Sequence, residues 1–114
     1  MESLMPNRQI TALLQTDKSF ADKIERIAKQ IRPVLERNGV LAASLFGSIV
    51  RKQDTAQSDV DILVQYKDGT TLLDAAGIQI ELEKTLGCKV DIVSEKYLHR
   101  RIRDQVNKER IRIL

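Results

Sequence analysis

Residues 40–66 read VLAASLFGSIVRKQDTAQSDVDILVQY, and the fold turns on how that stretch is parsed. Residues 40–46 are a short apolar run between Gly39 and Gly47, the pattern of a buried strand. Ser48 to about Lys52 fits a short helix, and residues 53–57 are a polar loop. A second strand runs from Asp59 to Tyr66, yet it opens with two carboxylates, Asp59 and Asp61. Residues i and i+2 of a strand point to one face. Asp59 and Asp61 therefore share a side, while Val60, Ile62 and Val64 turn into the core. Like charges held together oppose folding. Something else must offset that repulsion.

The flanking sequence supplies the rest of the sheet. Residues 88–93, CKVDIV, form a third strand with Val90 and Ile92 on one face and Asp91 on the other. If the second and third strands are neighbours, Asp59, Asp61 and Asp91 converge. The spacing of Ile24, Ile27, Ala28, Ile31, Val34 and Leu35 predicts a helix over residues 21–37, kinked or broken at Pro33 and stopped by Asn38-Gly39. Another helix is predicted over residues 71–86, with Leu72, Leu73, Ala76, Ile80, Leu82 and Leu86 as its apolar set. Ser94 caps a last helix that runs to about Asn107, and residues 111–114 form a short terminal strand. The class is α/β in the α+β sense: a small mixed sheet flanked by helices. Residues 1–22 read as an N-terminal helix or arm, and residues 23–114 as the functional domain.

The 114 residues include 42% hydrophobic residues and one cysteine, with a net charge of +3. That fits one domain with one core and no internal disulfide. No apolar run approaches the roughly 20 residues of a membrane span. The opening MESLMPNRQITALL lacks the regions of a signal peptide, so a cytoplasmic location is expected. Basic residues gather late, in His99-Arg100-Arg101-Ile102-Arg103 and Lys108-Glu109-Arg110-Ile111-Arg112. Acidic residues nearly balance them, and direct nucleic-acid binding is not expected.

Clustered carboxylate oxygens are hard ligands suited to Mg²⁺ or Mn²⁺. Mg²⁺ takes few protein ligands and fills its shell with water and substrate phosphates. Neither an EF-hand loop, a GxxxxGK[ST] loop nor a GxGxxG fingerprint is present. Gly47 lets backbone approach a ligand closely. Ser48 adds a hydroxyl, the start of a helix adds free N–H groups, and Arg51 adds charge, so the turn reads as a phosphate cradle. Taken singly, an Asp-x-Asp is more often surface charge, and a Gly-Ser pair is more often a capped turn. The other candidates are weaker. His99 is a lone histidine among arginines, and Cys88 lacks a paired base. Tyr66 and Tyr97 either stack on a base or pack at the core edge, with packing the favoured reading.

Together the spacing G-S-x10-D-x-D and the later Asp91 resemble the nucleotidyltransferases of the DNA polymerase β superfamily, in particular the minimal nucleotidyltransferase (MNT) proteins. The segments are LFGSIVRKQDTAQSDVDILV, LLDAAGIQIELEKTLGCKVDIVS and the basic C-terminal helix, covering roughly residues 24–114. Many members carry glycine after the arginine, where this chain has Lys52. The resemblance implies a palm-like nucleotidyltransferase fold, two Mg²⁺ ions at the catalytic Asp59, Asp61 and Asp91, and nucleotide-phosphate binding at Gly47 and Ser48, with Arg51 beside them. It also implies ATP as substrate, in-line attack at the α-phosphorus and release of pyrophosphate. Small MNT proteins often act as antitoxins that transfer AMP to a tyrosine of a HEPN-domain ribonuclease toxin, in type VII toxin-antitoxin pairs. The rival readings are an antitoxin that neutralises only by covering its toxin, a transferase with a small-molecule acceptor such as an aminoglycoside, and a nucleic-acid-binding module built on the last helix.

Overall fold

The computed structural model describes residues 17–114 except residue 56. Most of the expected N-terminal helix or arm, residues 1–16, lies outside the described residues. Helix α1 spans Lys18–Arg37, β1 Val40–Phe46, β2 Val60–Tyr66 and α2 Leu72–Leu86. β3 follows at Val90–Ser94, α3 at Arg100–Glu109 and β4 at Ile111–Arg112. The sheet has the order β3-β2-β1-β4. β1 is antiparallel to β2 and β4, and β2 is parallel to β3, so the sheet is mixed.

Helices cover both faces. On one, Ile24, Ile31 and Leu35 of α1 and Ile78 and Leu82 of α2 pack on Leu45, Ile62, Val64 and Val90. On the other, Val106 of α3 and Leu98 pack on Leu63, with Phe46 and Val93 beside them. The middle of β2, Ile62 to Val64, is therefore buried on both sides, and polar residues stand only near its ends, Asp61 and Gln65. α1 starts at Asp17, whose Oδ1 accepts a hydrogen bond from Phe20 N at 3.0 Å. Phe20 and Ala21 are buried, so packing of this helix on the sheet begins before residue 23.

Several boundaries differ from the sequence reading. α1 stops at Asn38 as expected, but it starts earlier than residue 21 and runs through Pro33 without a break. The carbonyl that loses its partner belongs to Lys29, and both Lys29 and Pro33 are exposed, so water can replace the missing donor. The residues after Phe46 make a single 3₁₀ turn, Gly47–Ile49, not an α-helix. Ser94 ends β3 and leads into another 3₁₀ turn, Glu95–Tyr97, and α3 begins only at Arg100. His99 caps it, with Nδ1 accepting from Arg101 N at 3.0 Å.

The apolar face of α2 is only partly the expected one: Leu82 and Leu86 belong to it, and Leu72, Leu73 and Ile80 do not. Ile78 and Leu82 are buried and Leu86 partly so, whereas Leu72 and Leu73 are 91% and 83% exposed. At 100° per residue, positions 78, 82 and 86 share one side and 73, 76 and 80 the opposite one, while 72 falls on the flank between them in the first turn. Two α2 side chains reach the edge strand instead. Gln79 Nε2 donates to Val90 O, and Val90 N donates to Glu83 Oε2, both at 3.0 Å.

Candidate active site

Strand directions assemble the site. Because β1 and β2 are antiparallel, the end of one meets the start of the other, and Phe46 pairs with Asp61. Because β2 and β3 are parallel, Asp61 pairs with Asp91. Both carboxylates point to the α3 side, the face of Leu63 and Val93. There a groove of about 420 Å³ is lined by Gly47, Arg51, Asp61, Asp91, Gln105 and Glu109, among others.

Asp61 is half-buried among these charges. Burial first, then the negative charges of Asp91 and Asp59, hold its carboxyl above the usual range, and Arg51 pulls the other way. Asp59 stands one residue ahead of β2 and does not line the groove. Its charge also reaches Cys88, whose thiol is pushed up by burial first and then by Asp59 and Glu83. That favours the protonated, unreactive form.

Gly47 has φ +81°, and a Cβ there would lie 2.1 Å from Asp61 Oδ2. Only glycine lets the carboxylate rest against the backbone at this point. The turn then coils on itself. Gly47 O accepts from Val50 N and Arg51 N at 3.1 Å, and Ser48 O accepts from Gln53 N at 2.8 Å. A single turn has little of the dipole expected of a longer helix. Ser48 is half-buried and does not line the groove. Gly47 and Arg51 are the two members of the expected cradle that do.

Arg51 is held from both sides: its Nε donates to Gln53 Oε1 at 3.0 Å and a terminal nitrogen donates to Glu109 Oε1 at 2.8 Å. Lys52 adopts φ +61°, the left-handed conformation that glycine enters without strain. Its ammonium donates to Asp17 Oδ2 at 2.5 Å and lies 4.9 Å from the centre of the Phe20 ring. Lys23 and Asp54 make a second tie between α1 and this loop.

Sequence reasoning missed Gln105 and Glu109, which reach the groove from α3. The sequence shows only an amphipathic basic helix there, and nothing in its spacing pairs Glu109 with Arg51. Tyr66 is half-buried against the core, as expected, but Tyr97 is 77% exposed and does not pack.

Among the described residues, no three His, Cys, Asp or Glu side chains stand close enough to hold a metal ion as they are. The donor chemistry nevertheless fits a hard divalent cation. Asp61 is held against like charge, and the closest opposing cation, Arg51, is committed to Glu109.

The family model described as "Polymerase beta, Nucleotidyltransferase" matches residues 29–114. This chain belongs to the polymerase β nucleotidyltransferases. It is thus an enzyme of the nucleotidyltransferase class. A protein of Methanocaldococcus jannaschii with the provisional name of protein adenylyltransferase is 37% identical over 91 residues, 80% of this chain and 98% of the relative. A solved structure provisionally described as a minimal nucleotidyltransferase is 38% identical, with a TM-score of 0.70 over 79% of this nucleotidyltransferase and 92% of that chain. A complex of a tri-AMPylated Shewanella oneidensis HEPN toxin with its MNT antitoxin shares the fold at 21% identity. Its TM-score is 0.63, over 79% of this chain and 71% of that one. Among the described residues of the nucleotidyltransferase, no helix is long and apolar enough to cross a membrane.

Proposed function

We propose that this nucleotidyltransferase is the antitoxin of a type VII pair. It moves AMP from ATP onto a tyrosine of a HEPN-domain ribonuclease partner in the cytoplasm. The observation that carries this reading is the direct pairing of Asp61 with Asp91 beside a glycine whose backbone touches Asp61. The names of the relatives, a protein adenylyltransferase and an MNT antitoxin with an AMPylated toxin, support the acceptor class and the partner.

Asp59, Asp61 and Asp91 are the residues that would hold Mg²⁺, and the ion would supply charge to neutralise the triphosphate and acidify the acceptor hydroxyl. Gly47 brings backbone up to the phosphates. Arg51 adds positive charge to the pyrophosphate leaving group once it exchanges Glu109 for phosphate oxygens. The acceptor oxygen forms a bond to the α-phosphorus as the bond to the bridging oxygen breaks, and pyrophosphate leaves with that electron pair. Asp91, exposed at the start of β3, accepts the hydroxyl proton. A phenol, with a pKa near 10, gives that proton up more readily than an aliphatic alcohol. Phosphate added to a tyrosine beside a ribonuclease site places negative charge where RNA must bind.

The test is intact-mass spectrometry of the co-encoded partner after incubation with this protein, Mg²⁺ and each nucleoside triphosphate in turn. The expected result is a gain of one or more AMP units with ATP, lost in Asp59→Asn and Asp61→Asn. A partner whose mass never changes while its toxicity is still neutralised would establish the covering mechanism instead.

A further inference from the structure

The acidic groove occupies one end of the sheet. A larger one, of about 680 Å³, occupies the other end, where β2 and β3 finish. β2 links the two: Asp61 lies at its start and Tyr66 at its end, five residues and about 16 Å apart at the rise of a strand. The far groove shares no lining residue with the acidic one.

Its chemistry is the inverse of the acidic site's. Tyr66 and Tyr97 both line it, and so do Lys67, Lys96 and Arg103. Tyr97 presents most of its ring to solvent, with Lys96 Nζ 5.7 Å from the ring centre. Arg103 donates one hydrogen bond, to Leu98 O at 3.2 Å, which leaves a planar guanidinium at the wall. Of the two carboxylates in the lining, Asp68 and Glu95, Glu95 is engaged by Arg110 at 3.3 Å. Three cations line the groove against these two carboxylates. A Lys-Tyr pair on a one-turn 3₁₀ segment, exposed to this degree, is not explained by packing. The volume suits a ligand of small-molecule size. Aromatic faces beside cations, in an open polar groove, are the means by which proteins hold a base and its phosphate without reading sequence.

We propose that this groove is a second binding site, for a nucleoside phosphate. The base stacks on Tyr97, and the phosphate is held by Lys67, Lys96 and Arg103. This goes beyond the transfer reaction, and it runs against the balanced composition, which hides the local excess of positive charge. The ligand is either a free mononucleotide or one unit of a single-stranded RNA.

The experiment uses the full chain in EDTA, so that metal-dependent nucleotide binding at the carboxylates does not contribute. The probes are 5′-AMP, followed by calorimetry, and a labelled oligouridylate of about ten nucleotides, followed by anisotropy. Binding should weaken about tenfold in Tyr97→Ala and be retained in Tyr97→Phe, as a stacking platform requires. Asp61→Asn should leave it unchanged, whereas transfer of AMP to the partner should be lost in Asp61→Asn and kept in Tyr97→Ala. Comparable affinity for both probes identifies the mononucleotide. A much tighter oligomer, whose log affinity falls with log salt at a slope near −2 that flattens in Lys96→Ala/Arg103→Ala, identifies the strand, since three contacts give about that slope. The proposal is overturned if neither probe binds at low salt, or if Tyr97→Ala binds like the native chain. It is equally overturned if neither probe binds but Tyr97→Ala weakens the complex with the partner, which would make the groove a protein interface.

Discussion

Asp61 and Asp91 are direct partners across parallel strands, like charge beside like charge. The consequence is a pH-dependent stability. A carboxylate whose folded pKa lies above its unfolded value destabilises the fold once pH rises through that folded pKa, and has no effect below the unfolded value, near 3.9. Asp61 is such a group. Asp61→Asn should therefore raise the melting point at pH 7, and the gain should vanish near pH 4. Asp61 is only partly shielded from water, which keeps the gain at about 1 kcal/mol or less. Mg²⁺ should raise the melting point of the native chain at pH 7 and do so much less in the variant. Melting curves across pH, with and without Mg²⁺, check both; a variant that melts lower at pH 7 refutes the argument.

Gly47→Ala should damage chemistry more than folding. A left-handed alanine costs roughly 1–2 kcal/mol, and its Cβ would displace the Asp61 carboxylate. A displacement of about 1 Å at a reacting group can slow a reaction on the order of 100-fold. Gly69→Ala is the control, because Gly69 has φ +88° and open space around it. Both variants should melt lower by similar amounts, and only Gly47→Ala should lose AMP transfer to the partner.

Lys52 in a left-handed conformation is offset by its contacts with Asp17 and Phe20. Lys52→Gly removes roughly 1–2 kcal/mol of backbone strain together with those contacts. The melting midpoint should stay within about 5 °C of the native value, while its sensitivity to salt falls. Asp17→Asn keeps the helix cap and should add nothing further in the Lys52→Gly background, because the two changes remove one interaction. Independent, additive effects in the double variant would contradict the tie between loop and helix.

The corrected face of α2 is directly measurable. Leu72→Ser/Leu73→Ser should change stability by no more than about 0.5 kcal/mol, as expected for surface positions. Leu82→Ala should cost about 2–5 kcal/mol, because that side chain is fully buried. Denaturant unfolding distinguishes the two; equal losses would restore the face read from the sequence.

How much was legible in the sequence varied with the range of the interaction. The strands and their facing were legible, because alternation at Val60, Ile62 and Val64 is a local property of the chain. The convergence of Asp61 and Asp91 was legible only on the condition that β2 and β3 are neighbours, which the sheet order meets. At Pro33 the choice between a kink and a break was open because the sequence does not show that Lys29 and Pro33 lie on the exposed face of the helix. The apolar face of α2 misled because Leu72 and Leu73 were counted as apolar without being placed on the helical wheel. Glu109, Gln105 and the Asp17–Lys52 tie were out of reach. Each depends on side chains brought together from distant segments, and charge complementarity alone does not select one partner among many.

At Val90 the edge of the sheet is closed by side chains instead of a strand. Gln79 donates to Val90 O and Glu83 accepts from Val90 N, the two hydrogen bonds that a further strand would make with Val90. A molecule built this way carries its own stopper against self-templating, since an unpaired edge recruits other chains. Removing the amide and the carboxylate together, as in Gln79→Ala/Glu83→Ala, turns the strand that bears Asp91 into an adhesive margin. Concentration-dependent association, not unfolding, is then the failure expected of the molecule.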